Sequence, residues 1–431
     1  ADTSAAPEET TVPENVLSGN ADAENAFYVW MWNDDVKKIL DGVLAEVDPD
    51  LYGRIVYVNT GGSNWYQEKL DNILEDPSNA LYPDVVALEA DYILKYTNSD
   101  YILPIADLGI TADDLANQYA YTQQIVTVDG ALKGVTWQAT PGLFAYRRSI
   151  AKEVLGTDDP AEVQAQISDW TKFNDVAAKM KEAGYTMLAG YADAYRTYSN
   201  NVTTPWVVDN ALQIDDFCKS YADTAKALWD CGGVTKNSQW ASDGSWTAAG
   251  TTGACMGYFA STWGFGGFFL DAAGGEGGPE YGNWNLVQGP TPYYWGGTWI
   301  VVNPATDNGQ EARDFIISAT SDEAQMSDYA VKKPEYVNNT AVMDSLINAD
   351  TIFNEKISGN FKDNQNYFKV LAENAKSIDF NGLITPYDST IKGAFQDAIR
   401  DDYLMGEKSY EDALETFKDK VAESITTIDV E

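Results

Sequence analysis

Three runs rich in β-branched and aromatic residues, each followed by a helical stretch, limit the fold most strongly. Residues 27–32 (FYVWMW), 55–58 (IVYV) and 83–88 (PDVVAL) read as strands. After the first, Asn33, Asp34 and Asp35 lead into a helix over 36–47. After the second, Gly61 to Asn64 open a helix that runs to Glu75, with Ser63 or Asn64 as its cap. Strands that alternate with helices form βαβ units and a parallel sheet, so the fold class expected is α/β. Ligands of such open sheets sit beyond the carboxyl ends of the strands. Here those ends are Trp32-Asn33-Asp34, the stretch from Asn59 to Trp65, and Glu89 to Asp91.

A chain of 431 residues is too long for one core and calls for two or three domains. The stretch 134–156 (GVTWQATPGLFAYRRSIAKEVLG) carries the first passage between them. Pro141 fixes its own φ and biases Thr140 to extended geometry, and Gly142 frees the backbone just after. A second passage is expected in 284–302, where Pro-x-Pro, aromatics and Gly-Gly precede Trp299 and an aliphatic run, and a third in 378–386 (IDFNGLITP). In this order the motifs resemble the interdomain crossings of extracellular solute-binding proteins of carbohydrate ABC importers, the maltodextrin-binding-protein-like group. The resemblance covers the chain from about residue 26 to its end. It implies a periplasmic-binding-protein-like fold of type II, with two βαβ lobes, a three-segment hinge and the ligand in the cleft between lobes. The boundaries expected are lobe 1 at 24–138 plus 299–378, lobe 2 at 142–297 plus 385–431, and crossings near 139–141, 298 and 379–384.

Elsewhere the punctuation is clear. Residues 169–184 form a helix capped by Asp169 or Ser168, striped by Phe173, Val176, Ala177 and Met180, and stopped at Gly184. A strand over 187–189, an aromatic loop over 191–206 and a helix over 215–229 follow. The 27 residues 244–270 hold no charge, but seven glycines and several Ser and Thr exclude a membrane helix. They read as a strand (254–259), a turn at Ser261-Thr262-Trp263 and a glycine-rich helix start. A helix over 303–319 follows the second passage, further helices run to about 377, and two more fill the chain from Tyr387.

Charge and composition narrow the partners. With 66 acidic and 28 basic residues the net charge is −38, which repels nucleic acid and anionic membranes. The absence of histidine excludes Ser/His/Asp and Cys/His triads and His-ligated metals. No metal or cofactor is expected. Cys218, Cys231 and Cys255 are too few and odd in number for a disulfide framework. Cys218 and Cys231 flank a helix and stand about 20 Å apart, although either could meet Cys255. Residues 1–23 are too polar and acidic for a core and read as a disordered tether, with neither a basic nor an apolar signal region. Such a start resembles the spacer after the lipidated cysteine of a Gram-positive lipoprotein. An anchor to the cell membrane is therefore an inference, and the protein is expected to work there as a monomer.

The 13 Trp and 26 Tyr point to a binding surface. Sugars present C–H faces and hydroxyl rings, which proteins read with aromatic platforms and planar polar groups. The candidates in the first lobe are Trp32, Asn33, Asp34, Asn64, Trp65 and Asp91, with Trp137 and Gln138 at the crossing. The second lobe adds Tyr195, Trp206, Trp263, Tyr294, Trp295 and Asp388, and Asp193 lies in the same loop as Tyr195. The resemblance singles out Asp91, Tyr195, Trp263 and Trp295. Against ligand contact, Trp32 and Trp137 also suit a core, Asp34 and Asp91 suit helix caps, and Glu89 and Asp388 suit structural roles. The function implied is capture of an oligosaccharide and its delivery to the permease subunits of an ABC importer. A peptide- or polyamine-binding protein of the same fold and a glycoside hydrolase are the alternatives.

Overall fold

The structure, a computed structural model, describes residues 12–430 apart from 42, 63–64, 238, 240, 242, 252–253, 266–272, 274–275, 350–354, 362 and 364. Asn64, Ser63, most of the glycine-rich helix start and residues 1–11 of the expected tether lie outside the described residues. In chain order the strands of the two larger sheets are β1 (Val16–Gly19), β2 (Phe27–Met31), β3 (Ile55–Asn59), β4 (Val85–Glu89), β5 (Val135–Thr136), β6 (Leu143–Arg147), β7 (Thr186–Gly190), β8 (Val234–Asn237), β9 (Cys255–Ala260), β10 (Trp284–Val287) and β11 (Thr298–Val302).

The chain divides into two compact units. The first comprises 1–139, 296–330 and 337–342, and its six-stranded sheet runs in the order β1-β3-β2-β4-β11-β5. β2 pairs in parallel with β3 and β4, as the βαβ pattern requires, while β11 runs antiparallel to β4 and β5. β3 and β4 are buried at every position but the last, the pattern of strands covered on both faces. Asp84, just before β4, ties this sheet to the loop after β11. Its carboxylate accepts from the Tyr28 N–H at 2.8 Å, from Asn308 Nδ2 at 3.0 Å and from the Thr306 hydroxyl.

Part of the expected tether is folded. β1 lies antiparallel to β3 at the sheet edge, with Val16 and Leu17 exposed. The Lys69 ammonium fixes the residues before it, donating to Pro13 O at 2.6 Å, Asn15 Oδ1 at 2.8 Å and Thr60 O at 3.1 Å. Backbone pairing and one well-placed cation hold a segment whose side chains bury little.

The second unit comprises 140–295, 331–336 and 343–431, and its five-stranded sheet runs β8-β7-β9-β6-β10. β7 pairs in parallel with β8 and β9, and β6 antiparallel with β9 and β10. Asp169 caps helix Trp170–Glu182 by accepting from the Lys172 N–H at 2.9 Å, and the stripe Phe173, Val176, Ala177, Met180 is buried. The outer edge of β10 is closed by side chains. Gln365 accepts from the N–H of Leu286 and donates to its carbonyl, both at 2.9 Å, and Gln164 does the same for Gly289. Arg147, on β6, is buried in an ion pair with Glu280 at 2.7 Å.

Two local expectations change. Thr140 has φ +42° and not the extended geometry expected before Pro141; its carbonyl accepts the Trp295 N–H at 3.0 Å. Gly142 is required by contact more than by freedom of φ, since a Cβ there would lie 2.1 Å from the Tyr293 ring. Residues 343–378, which the sequence reading put in the first lobe, cluster with the second unit. The chain passes between units at 139–140, at 295–296 and three times within 330–343, so the last passages precede the 379–384 segment expected. All three cysteines are unbonded thiols. Burial pushes the Cys255 thiol up to about 12.

Candidate functional site

In the first unit, the carboxyl ends of β2, β3 and β4 bring together Trp32, Asp34 and the Glu89–Asp91 turn. The Trp32 ring is half-buried against Tyr66 and Tyr92, with centroids 5.4 and 6.2 Å away. Asp34 is exposed and accepts from Asn59 Nδ2 at 3.0 Å, a bond that links the ends of β2 and β3. Asn33 turns inward to its own chain, bonding Asp35 through both its amide nitrogen and its oxygen. Trp65 is half-buried at the start of helix Tyr66–Leu74, in the capping position expected of Ser63 or Asn64, without a side-chain cap. Asp91 is exposed, and its backbone N–H donates to Glu89 Oε2 at 2.6 Å.

Trp137 and Gln138 are enclosed. Trp137 is fully buried, and its indole N–H meets no acceptor among the described residues. The Gln138 side chain accepts from the Thr298 N–H at 2.9 Å, which ties the residues just after β5 to β11.

In the second unit the candidates separate into two groups. Trp263, Tyr294 and Trp295 are brought together. The Trp263 indole donates to the carbonyl of Trp295 at 2.7 Å, and the two rings are perpendicular with centroids 5.2 Å apart. Trp295 is only 4% exposed, whereas Trp263 is half-buried. Ser261, beside them, donates to Pro141 O at 3.0 Å, and Thr262 bonds the buried Glu335 carboxylate at 2.6 Å, so the turn after β9 is firmly seated.

Tyr195, Trp206 and Asp388 form the second group, and each is packed among other partners. Trp206 is 2% exposed among Phe217, Phe395 and Phe417, all edge-on or tilted at 5.5 to 6.0 Å, so no ring face is left for a ligand. Tyr195 packs edge-on to Tyr221 and donates to Lys392 O at 3.2 Å; burial raises its pKa well above the usual phenol range. Asp388 accepts from the N–H and hydroxyl of Thr385 and pairs with Lys392 at 3.4 Å, which anchors the start of helix Asp388–Ala398. Asp193 is enclosed as well. Its carboxylate accepts from the Gly190 N–H and from the Trp246 indole, and burial raises its pKa to about 7 against those bonds.

Sequence reasoning missed Arg196 and Asn200. The Arg196 guanidinium lies 5.2 Å over the Trp295 ring, and Asn200 Oδ1 accepts from the Tyr294 N–H at 2.9 Å. A cation within an aromatic loop was the available signal for the first. Among the described residues no cluster of three His, Cys, Asp or Glu could hold a metal, and no helix is long and apolar enough to cross a membrane.

The chain matches the family profile described as bacterial extracellular solute-binding protein over residues 49–352, more than half its length. No curated protein sequence matches it significantly. Among solved structures it is similar to an extracellular solute-binding protein of family 1, with TM-score 0.77 and 18% identity over 93% of this chain and 100% of that one. It is also similar to the ABC transporter associated binding protein from B. animalis subsp. lactis Bl-04 in complex with beta-1,6-galactobiose (TM-score 0.69, 20% identity, 93% and 98% covered). A third is the galacto-N-biose-/lacto-N-biose I-binding protein from Bifidobacterium longum in complex with lacto-N-biose (TM-score 0.68, 17% identity, 93% and 98% covered). These likenesses show an α/β fold of the periplasmic-binding-protein kind.

Proposed function

The chain belongs to the bacterial extracellular solute-binding proteins, and from that premise we propose that it captures an oligosaccharide and hands it to the permease subunits of an ABC importer. The family places it outside the cytoplasm and makes it a binder and not an enzyme, which sets the glycoside hydrolase aside. The observation that carries the sugar reading is Trp263, a half-buried indole whose N–H is already used on Trp295. With that donor occupied, the indole can meet a ligand by ring contact and not by its N–H, which suits the C–H face of a pyranose. The saccharides in the complexes named above support the same class.

In this reading Trp32, Asp34, Trp65 and Asp91 serve one lobe and Trp263 and Tyr294 the other, while Trp295 braces Trp263. The passages at 139–140, 295–296 and 330–343 act as the hinge on which the lobes close. A micromolar ligand requires about 8 kcal/mol. Two stacked rings at about 1 kcal/mol each beyond their area, with several hydrogen bonds at about 1 kcal/mol net, reach that range together with apolar burial. In this reading the protein works as a monomer tethered to the cell membrane. Calorimetric titration with oligosaccharides, spermidine and short peptides tests the ligand class. Heat from a saccharide supports the reading, and heat from spermidine or peptide alone overturns it.

A further inference from the structure

The aromatic segment 292–295 has no helix or named strand of its own, and Gly296 and Gly297 follow it at φ +79° and +113°. Its backbone contacts with the neighbouring strand entry are the Gly142 N–H on Tyr293 O at 2.7 Å and the Trp295 N–H on Thr140 O at 3.0 Å. From the other side it is held by helix Tyr195–Ser199 and the two asparagines after it. Asn200 Oδ1 accepts the Tyr294 N–H at 2.9 Å. Asn201 Nδ2 donates to Pro292 O at 2.8 Å and to Thr197 O at 2.6 Å, so the same amide grips the segment and its own helix. Arg196 covers the Trp295 ring.

We propose that Asn200 is a positioning residue for ligand recognition: by fixing the Tyr294 peptide it sets Trp295, and through the Trp295 carbonyl it sets the plane that Trp263 presents. The inference rests on the reading of Trp263 as a ligand platform. Its geometry is testable without ligand. Perpendicular indoles in contact give a near-ultraviolet circular dichroism component that disappears in Trp263→Phe, and that component serves as the marker.

The experiment compares the wild type with Asn200→Ala, Asn200→Ser and Asn200→Asp. Aspartate keeps the acceptor for the Tyr294 N–H, while alanine removes it and serine is too short to supply it. The Trp263 component is expected to vanish or weaken in the alanine and serine variants and to persist in the aspartate variant. Affinity for the best-binding oligosaccharide should fall about fivefold to tenfold in the first two, the scale of one hydrogen bond, and stay near wild type in the third. Should alanine fail to fold, the serine variant decides. Retention of the component in Asn200→Ala or Asn200→Ser overturns the proposal, and so does its loss with affinity unchanged. If no saccharide binds the wild type, the functional reading fails, and the dichroism comparison alone decides whether Asn200 positions the ring.

Discussion

Trp263 and Trp295 form an unequal pair: the first gives its indole N–H to the second's carbonyl at 2.7 Å and is half-buried, while the second is 4% exposed beneath Arg196. Substitutions should therefore separate. Trp263→Ala is expected to weaken saccharide binding at least about tenfold, the scale of one to two stacked-ring increments, with little loss of melting temperature. Trp295→Ala removes a buried ring as well and should destabilise the fold by about 3 kcal/mol or more. Calorimetry and thermal unfolding on both variants check this, and equal stability losses would contradict the division of roles.

Trp206 offers the converse. Its ring sits among Phe217, Phe395 and Phe417, so Trp206→Ala should cost about 3 to 5 kcal/mol of stability. Ligand affinity of the folded fraction should stay at the wild-type value. Denaturant unfolding and titration measure the two separately, and an affinity loss without destabilisation would return Trp206 to the site.

Elements whose signals are local were legible in the sequence. Asp169 and its stripe gave helix Trp170–Glu182, and the β-branched runs gave the parallel core of the first sheet, because capping and burial are written within a few residues. Properties set by distant partners were not. Residues 1–23 read as tether by composition, yet β3 and Lys69 order part of the segment. Residues 343–378 carry no mark of which unit they join. At the site, aromatic content exposed the candidates but could not tell Trp206, packed by Phe395 and Phe417 from the far end of the chain, from half-buried Trp263.

The bidentate grip of Gln365 on Leu286 predicts an aggregation phenotype. Gln365→Ala frees one backbone donor and one acceptor on an edge strand, which costs about 1 to 3 kcal/mol and opens the edge to another chain. Lower stability in urea and concentration-dependent association by light scattering are expected. A variant that is both as stable and as monodisperse as the wild type would show the grip to be dispensable.

Asp193 predicts a pH dependence of stability. Burial raises its folded pKa to about 7, above the 3.8 of the free side chain. Below the unfolded value both states hold the proton and nothing is lost. Between the two values only the unfolded chain has released it, so stability falls as pH rises, with a slope approaching about 1.4 kcal/mol per pH unit, and levels off above the folded value. An amide in place of the carboxyl cannot titrate, so the difference between wild type and Asp193→Asn isolates this group from the many exposed carboxylates. A difference constant from pH 4 to 8 would show that Asp193 stays ionised when folded.

The most direct measurement is calorimetric titration of an oligosaccharide panel against the wild type and Trp263→Ala, with mass spectrometry of the sugars afterwards. The account predicts that at least one saccharide binds the wild type, is recovered intact, and binds Trp263→Ala at least about tenfold more weakly. A silent panel beside a binding polyamine or peptide, a cleaved sugar, or an unchanged Trp263→Ala isotherm would contradict it.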